Sequence, residues 1–158
     1  MILTLLFFWL MIKEINVNRK AYHDYEIIDK YEAGLSLLGS EIKSIKKGKV
    51  QLKDSFISFI HNEAYIKGMH IARWQSASSY FNHDEERDRK LLLHKHEIVK
   101  LATKVKIQGL TVIPLKLYLK DGKAKLEIAL ARGKTLYDKR EDDRARTMEM
   151  EAKKALRR

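Results

Sequence analysis

TVIPLKLYLKDGKAKLEIALA, residues 111–131, decides the fold because it contains two alternating strands joined by a two-residue turn. Apolar residues fill every second position, and lysine, tyrosine and glutamate lie between them, so one face is buried and the other is charged. Asp121-Gly122 between the two runs favours a type I′ hairpin. Pro114 cannot donate to a strand ladder, so its strand is predicted to be an edge strand or to be bulged there.

The chain before this hairpin contains weaker strand patterns. Residues 25–33 and 35–39 alternate in part, and we predict two strands that meet at Ala33-Gly34. Residues 56–60 and 64–71 also have strand-like composition. They are joined by His61-Asn62-Glu63, where Asn62 tolerates the left-handed conformation of a short turn.

Two segments have a helical pattern. Residues 40–47 fit a short helix with Ser40 as N-cap and Gly48 as its end. Ile98, Leu101 and Val105 share one face of a second helix that ends before Gly109. The elements together predict a mainly β protein with some α structure. The expected architecture is a small antiparallel OB-like barrel of about six strands with two or three helices.

The region between residues 73 and 89 is the least regular part of the sequence. Trp74, Tyr80 and Phe81 lie among serine, asparagine and histidine. We expect these aromatic residues to plug one end of the barrel. A stacking surface for nucleic-acid bases is the alternative.

Composition favours a polyanionic partner and argues against enzyme chemistry. The 158 residues carry a net charge of +11, which suits nucleic acid or an anionic membrane surface. The sequence contains no cysteine, which excludes disulfides, thiolate catalysis and cysteine-based zinc sites. No phosphate-binding glycine loop or nucleophile elbow is present. His23 and Asp24, read as strand neighbours, are expected to face opposite ways. We therefore predict no catalytic residue, no metal and no cofactor.

The chain starts with the apolar decapeptide MILTLLFFWL, followed by a second methionine, Met11. Ten residues are too few for a membrane-spanning helix, which needs roughly 20. The decapeptide also lacks the features of a signal peptide. Our hypothesis is that translation begins at Met11 or that the decapeptide is dispensable, in a cytoplasmic protein. The rival hypothesis is an anchor at a membrane surface.

The stretch RGKTLYDKR, residues 132–140, joins the body to a charged tail. From Arg132 onward there are 10 Lys and Arg against 6 Asp and Glu. The tail's helical stripe is narrow and holds Ala145, Met148, Ala152, Ala155 and Leu156. Such a stripe does not offset an ordering cost of roughly 1–2 kcal/mol per residue. We predict a tail that is disordered in the free protein and helical on a partner. The predicted domains are an extension (1–17), an RNA-binding body (18–132) and a basic tail (133–158).

Six blocks in order along the chain resemble the SmpB family of SsrA-binding proteins. They are NRKAYHDY from residue 18, YEAGLSLLGSEIKSI from 31, KDSF from 53, RKLLLHKHEI from 89, GLTVIPLKLY from 109 and GKTLYDKR from 133. Three features depart from the family pattern, the first being that residues 1–10 fall outside it. Glu85 stands where a proline usually follows the aspartate, and residue 132 is Arg where Lys is expected.

The resemblance implies an adaptor that binds the tRNA-like domain of transfer-messenger RNA and delivers it to stalled ribosomes for trans-translation. It implies RNA-binding residues at Asn18, Glu32, Leu92 and Lys125, to which we add the adjacent cations Arg19 and Lys20. The tail is expected to enter the empty mRNA channel of the small subunit near the decoding centre. Its expected contact residues are Gly133, Lys134, Tyr137, Asp138, Lys139, Arg140 and Arg144.

The implied partners are transfer-messenger RNA and the ribosome with its small-subunit RNA. Elongation factor Tu and alanyl-tRNA synthetase would act indirectly through the RNA, and the protein is expected to be a monomer off the membrane. Two alternatives stay open. One is a general single-stranded-RNA-binding OB protein of the translation machinery, and the other is a membrane-surface protein built on the apolar decapeptide.

Overall fold

The computed structural model describes residues 11–75, 77–78 and 80–157, so the hypotheses about residues 1–10 lie outside it. No helix within these ranges is long and apolar enough to cross a membrane. The described residues form nine strands and four helices. In chain order these are β1 (Ile12–Val17), α1 (Arg19–Asp24), β2 (Tyr25–Leu35), α2 (Gly39–Lys46), β3 (Val50–Gln51), β4 (Phe56–Ile60), β5 (Glu63–Lys67), β6 (His70–Ile71), β7 (Arg89–Leu92), α3 (Lys95–Gln108), β8 (Thr111–Lys120), β9 (Lys123–Gly133) and α4 (Leu136–Leu156).

Seven strands form one antiparallel sheet in the order β1-β8-β9-β2-β7-β5-β4, and β3 pairs with β6 separately. The predicted β8–β9 hairpin is confirmed, with φ of 53° at Asp121 and 77° at Gly122. The strand β8 lies between β1 and β9, but its pairing with β1 ends at Lys116, so among the described strands Pro114 pairs with β9 and lies at a local edge on its other side. A register shift between Pro114 and Lys116 shows the bulge that was the other predicted option.

Long-range pairing changes three of the predicted boundaries. β2 is one continuous strand, because residues 25–34 form a single antiparallel ladder with β9, apart from a register shift. From Gly34 onward the strand also pairs with β7. Residues 12–17, predicted to belong to an extension, instead form β1 and pair with β8. The predicted strand over residues 64–71 is broken at Gly68, whose φ of +79° does not fit a ladder.

The two predicted helices of the body are present. α2 begins at Gly39, with Leu38 rather than Ser40 at the N-cap, and the Leu38 N–H donates to Glu41 Oε1 at 2.9 Å. α3 ends where predicted, at Gly109, which adopts the left-handed conformation with φ of 65°. His61 and Asn62 are both left-handed, as a two-residue turn between β4 and β5 requires.

The main apolar core is formed by the strands together with α2 and α3, beside a smaller buried cluster around Ala21 of α1. It contains fully buried residues from strands, from helices and from the loop after β3, among them Ile45, Leu52, Ile66, Leu101, Leu117, Leu126 and Ile128. β4 contacts β8 without sharing a ladder. The fold is therefore mainly β and antiparallel, as predicted. Strand pairing among the described residues does not close the sheet into a complete barrel.

Tyr80 and Phe81, between β6 and β7, do not plug the sheet, so the prediction is wrong for these two residues, whereas Trp74 is half-buried. Tyr80 is 87% exposed and Phe81 is 74% exposed. The nearby buried positions are taken by His83 and Arg89, which satisfy their polar atoms internally. The loop therefore exposes Tyr80 and Phe81 to solvent.

Candidate nucleic-acid interface

Three of the predicted RNA-binding residues lie close together on the outer face of the sheet. Gly34 is the cross-strand partner of Lys125 on one side and of Leu92 on the other. Glu32 is two residues earlier in β2, so its side chain shares the face of position 34. Leu92 is 55% exposed although it is a large apolar residue on a strand. The pairing thus brings an acid, a cation and an exposed apolar side chain to one surface.

Gly34 allows close approach at the centre of this surface. A Cβ atom at position 34 would lie 3.2 Å from the Leu92 Cβ, which is tighter than ordinary packing. Leu35, Leu37 and Ile42 line the adjoining groove together with Leu92, and Lys123 and Lys125 lie at its other side. An apolar floor beside two lysines can receive a base or sugar while the cations meet phosphates.

Tyr118 also belongs to this surface, although the family resemblance did not identify it as an RNA-binding residue. Its hydroxyl donates to the Glu32 carboxylate, and Lys120 Nζ lies 3.8 Å from the same carboxylate. Burial, followed by this hydrogen bond, raises the pKa of Tyr118, so the hydroxyl stays protonated as a donor. Apolar and polar residues alternate along β8, and this pattern places Tyr118 on the charged face. The pattern was the signal in the sequence from which Tyr118 could have been identified.

The cations on this face differ in their partners. Lys30 lies 3.4 Å from Glu127, and Lys116 lies 4.0 Å from Glu14. Lys125, in contrast, forms no salt bridge with any residue that the structure describes. Its charge is therefore available to a phosphate without the loss of an internal partner.

Asn18 lies in a different setting from the other predicted RNA-binding residues. It is 6% exposed and caps α1, where its Oδ1 accepts from the Ala21 N–H at 3.3 Å. Its Nδ2 donates to the Pro114 carbonyl at 2.9 Å, beside the bulge in β8. Asn18 thus attaches α1 to the sheet. Of the neighbouring cations, Arg19 is exposed and Lys20 pairs with Asp54 at 2.7 Å.

Lys134 holds the start of the tail against α1. Its backbone N–H donates to the Asp24 carbonyl at 2.8 Å, and its ammonium donates to the Tyr22 carbonyl at 3.4 Å and to the Asp142 carboxylate. The contact with Lys134 lowers the pKa of Asp142. Lys139 adds a longer ion pair with Asp24, at 3.5 Å.

His23 also joins α1 to the tail, and its geometry corrects a sequence-based expectation. His23 and Asp24 lie on a helix rather than a strand, and the His23 Nδ1 is 2.9 Å from Asp24 Oδ1. The His23 Nε2 is 2.8 Å from Asp143 Oδ1 on α4. Hydrogen bonds to Asp24 and then Asp143 raise the pKa of His23, and the His23 contact lowers the pKa of Asp24. The contact between His23 and Asp143 could not be predicted from the sequence, because the two residues are 120 positions apart.

The tail itself is the helix α4, and none of its described residues is buried. Asp138 closes a capping box: its carboxylate accepts from the Thr135 N–H at 3.3 Å, and its own N–H donates to the Thr135 hydroxyl at 3.2 Å. Tyr137 is 71% exposed, and Arg140 is exposed beside it. Arg144 reaches Glu141 at 3.3 Å on the same helix. Disorder of this tail in the free protein stays a prediction.

A buried ion pair fixes β7, the strand that carries Leu92. Glu41 and Arg89 are each fully buried and form a salt bridge, and Arg87 approaches Glu41 at 2.5 Å. Burial favours a higher pKa for Glu41, but the hydrogen bonds from Arg87, Leu38 and Arg89 outweigh it and lower that pKa. Arg89 also donates to the Met69 carbonyl at 2.6 Å. The network ties α2, β7 and the preceding loop together.

The described ranges contain no group of three or more His, Cys, Asp or Glu residues arranged to hold a metal ion.

Comparison with known proteins identifies relatives over nearly the whole chain. The family model described as SmpB protein matches residues 15–158. The chain is 54% identical over 145 residues to an SsrA-binding protein of a Nitratiruptor species, covering 91% of this chain and 97% of that protein. It is also 54% identical over 143 residues to an SsrA-binding protein of Persephonella marina, covering 90% and 93%.

A solved structure resembles this fold as well. One chain of the structure described as "tmRNA-SmpB: a journey to the center of the bacterial ribosome" is 48% identical to this chain. The superposition has a TM-score of 0.64 and covers 78% of this chain and 86% of the other.

Proposed function

The chain belongs to the SmpB family, and we propose that it is an adaptor that binds transfer-messenger RNA and brings it to stalled ribosomes for trans-translation. The names of the relatives and of the ribosome structure support these two RNA partners. Such an adaptor requires no catalytic group and works in the cytoplasm, where ribosomes are. Indirect partnership with elongation factor Tu and alanyl-tRNA synthetase remains part of the proposal.

The groove beside Gly34 is the observation that carries the proposal at the level of residues. Leu92 is exposed, Lys125 has no internal carboxylate partner among the described residues, and Tyr118 orients the Glu32 carboxylate. The groove can therefore bind phosphate, accept a hydrogen bond from a base and contact an apolar ring face at one place. We place the tRNA-like domain of the RNA here.

The tail carries the second half of the proposal. Tyr137, Arg140 and Arg144 project from α4 into solvent, whereas Lys134, Lys139 and Asp138 hold the start of the helix. From Arg132 onward the tail carries 10 Lys and Arg against 6 Asp and Glu, and its helix buries none of its own described residues, so these cations can reach a channel lined with RNA phosphates. An mRNA in the channel would exclude the helix, which would restrict the adaptor to ribosomes without mRNA at that position.

The test separates the two halves with a truncation and a point variant. Removal of residues 133–158 is expected to keep affinity for transfer-messenger RNA and to abolish peptide tagging on stalled ribosomes in vitro. Lys125→Gln is expected to weaken RNA binding and to reduce the slope of log K against log salt by about 1. Lys100→Gln on α3 is the matched control, because it removes one exposed lysine outside the groove.

Loss of RNA binding in the truncated protein would contradict the assignment of RNA binding to the body and of ribosome binding to the tail. Full tagging by the truncated protein would contradict the role of the tail and would favour a general RNA-binding protein.

A further inference from the structure

Tyr80 and Phe81 form an exposed aromatic pair that the proposed interface does not use. Their ring centroids lie 5.0 Å apart, with an interplanar angle of 86°. Exposures of 87% and 74% leave both rings in contact with solvent. Two adjacent exposed aromatic residues are unfavourable in water, and aromatic rings presented in this way are typical of surfaces on which unpaired bases stack.

The base of this loop is fixed, so the two rings are presented at a defined place. Asn82 accepts from the Trp74 N–H at 3.1 Å and donates to the Trp74 carbonyl at 2.9 Å. His83 is 2% exposed and contacts the Ser40 hydroxyl and the Ile71 carbonyl, each at 2.9 Å. These contacts attach the loop to α2 and to β6.

The same contacts link the aromatic pair to the groove described above. Ser40 belongs to α2, and Ile42 of that helix lines the groove with Leu92 and Lys125. The groove and the base of the loop therefore both contact α2, at residues that are two positions apart.

The charges near the base of the loop favour RNA over a protein partner of low charge. The Ala72 N–H donates to the Lys49 carbonyl at 3.0 Å, which brings the exposed cations Lys47, Lys49 and Arg73 to this corner. Of the acids that follow the loop, Glu85 and Glu86 lie 3.9 and 3.7 Å from His70, and the exposed Asp84 accepts from the Glu86 N–H at 3.0 Å. Cations beside exposed rings match a single strand, which offers phosphates and base faces together.

We propose that Tyr80 and Phe81 are a second RNA-binding site, on which unpaired bases of the RNA held in the groove stack. The site rests on the proposed function because it takes the same RNA. It adds stacking with little dependence on base identity, and it accounts for aromatic residues that contribute little to the core.

The test compares aromatic, aliphatic and small residues at these two positions in the full-length chain. The Tyr80→Ala/Phe81→Ala variant is expected to bind transfer-messenger RNA about tenfold more weakly or worse. Its salt slope, measured between about 50 and 200 mM salt, should equal that of the parent chain, because no cation is removed. The midpoint of urea unfolding should not change, since both rings are exposed.

Two matched variants distinguish stacking from apolar contact. Tyr80→Phe/Phe81→Tyr keeps both rings and should bind like the parent chain. Tyr80→Leu/Phe81→Leu keeps apolar surface without a ring face and should bind as weakly as the alanine variant. Parent-like binding by the alanine variant, or by the leucine variant, overturns this proposal and leaves the proposed function standing. Failure of the parent chain itself to bind transfer-messenger RNA would instead overturn the proposed function.

Discussion

At the residue scale, the buried salt bridge between Glu41 and Arg89 gives a testable prediction about the stability of the body. Both are fully buried, so loss of one charge leaves the other without a partner in a site that excludes water. Glu41→Gln is therefore expected to destabilise the protein by about 3–5 kcal/mol, measured by urea unfolding. Glu149→Gln is the control, because Glu149 and Lys153 are an exposed pair on α4 whose loss should change stability by less than about 1 kcal/mol. Equal effects of the two substitutions would contradict this account.

The same carboxylate gives a pH dependence with a defined sign. Because the folded state lowers the pKa of Glu41 below 4.5, its contribution to stability is present above that value. It is lost as the pH falls through the lowered pKa. Between neutral pH and about pH 3, the parent chain should therefore lose more stability than Glu41→Gln does. Parallel losses in the two proteins would show that Glu41 is not the titrating group.

The motif that contains Asn18 predicted an RNA-binding residue but did not predict its structural role. Its type and position identified it as important, but its side chain is used to cap α1 and hold the bulge in β8. The sequence does not reveal this role, because Asn18 and Pro114 are 96 residues apart. Lys125 and Leu92 were predictable as surface residues. Their position on either side of Gly34 was not predictable, because it depends on the pairing of β2 with β7 and β9, which are distant in sequence.

At the scale of elements, the contact of α1 with α4 determines where the tail leaves the body. His23 reaches Asp24 and Asp143, and its pKa is raised above 6.5, so the protonated ring is favoured in the docked form. This contribution is complete below the ordinary pKa and is lost as the pH rises through the raised pKa. Docking should therefore weaken above neutral pH.

An NMR titration of the histidine ring protons measures this prediction directly. The pKa of His23 should lie above its ordinary value of 6.5, and Asp143→Asn should lower it. Glu141→Gln is the matched control on the same helix, because Glu141 contacts Arg144 rather than His23. An unchanged His23 pKa in Asp143→Asn would show that the docking contact is not populated.

The helix α4 should be least stable where nothing on the body holds it. Contacts with α1 stop at Asp143, and no residue of α4 in the described range is buried. Amide exchange of the free protein is expected to show weak protection across residues 144–156 and somewhat more near Asp142. Strong protection over residues 144–156 would contradict the prediction that this segment is ordered mainly by a partner.

Elements with local signals were predictable, whereas those set by distant pairing were not. The β8–β9 hairpin and the end of α3 follow from Asp121-Gly122 and from Gly109, which are adjacent in sequence to the elements they end. The continuity of β2 depends on β9, about a hundred residues later, so Gly34 was misread as a break. The aromatic loop was misread because apolar composition does not say whether a buried space exists for the rings.

At the scale of the whole molecule, the net charge of +11 is shared between the body and the tail from Arg132 onward. The body presents a rigid groove whose residues are fixed by a seven-stranded sheet. The tail presents cations on a helix whose hydrogen bonds to the body, among the described residues, come from its first two turns. This division fits an adaptor that holds one RNA throughout and engages a second RNA when the ribosome provides the channel.

The most direct test of the central claim is binding of the full-length chain to transfer-messenger RNA at near-physiological salt, with a large excess of unrelated folded RNA. A protein with this charge binds any RNA non-specifically, but such binding weakens steeply with salt and is removed by competitor. The account predicts tight binding that survives the competitor and is weakened by Lys125→Gln. Binding that the competitor abolishes would contradict the adaptor function and leave a general basic RNA-binding protein.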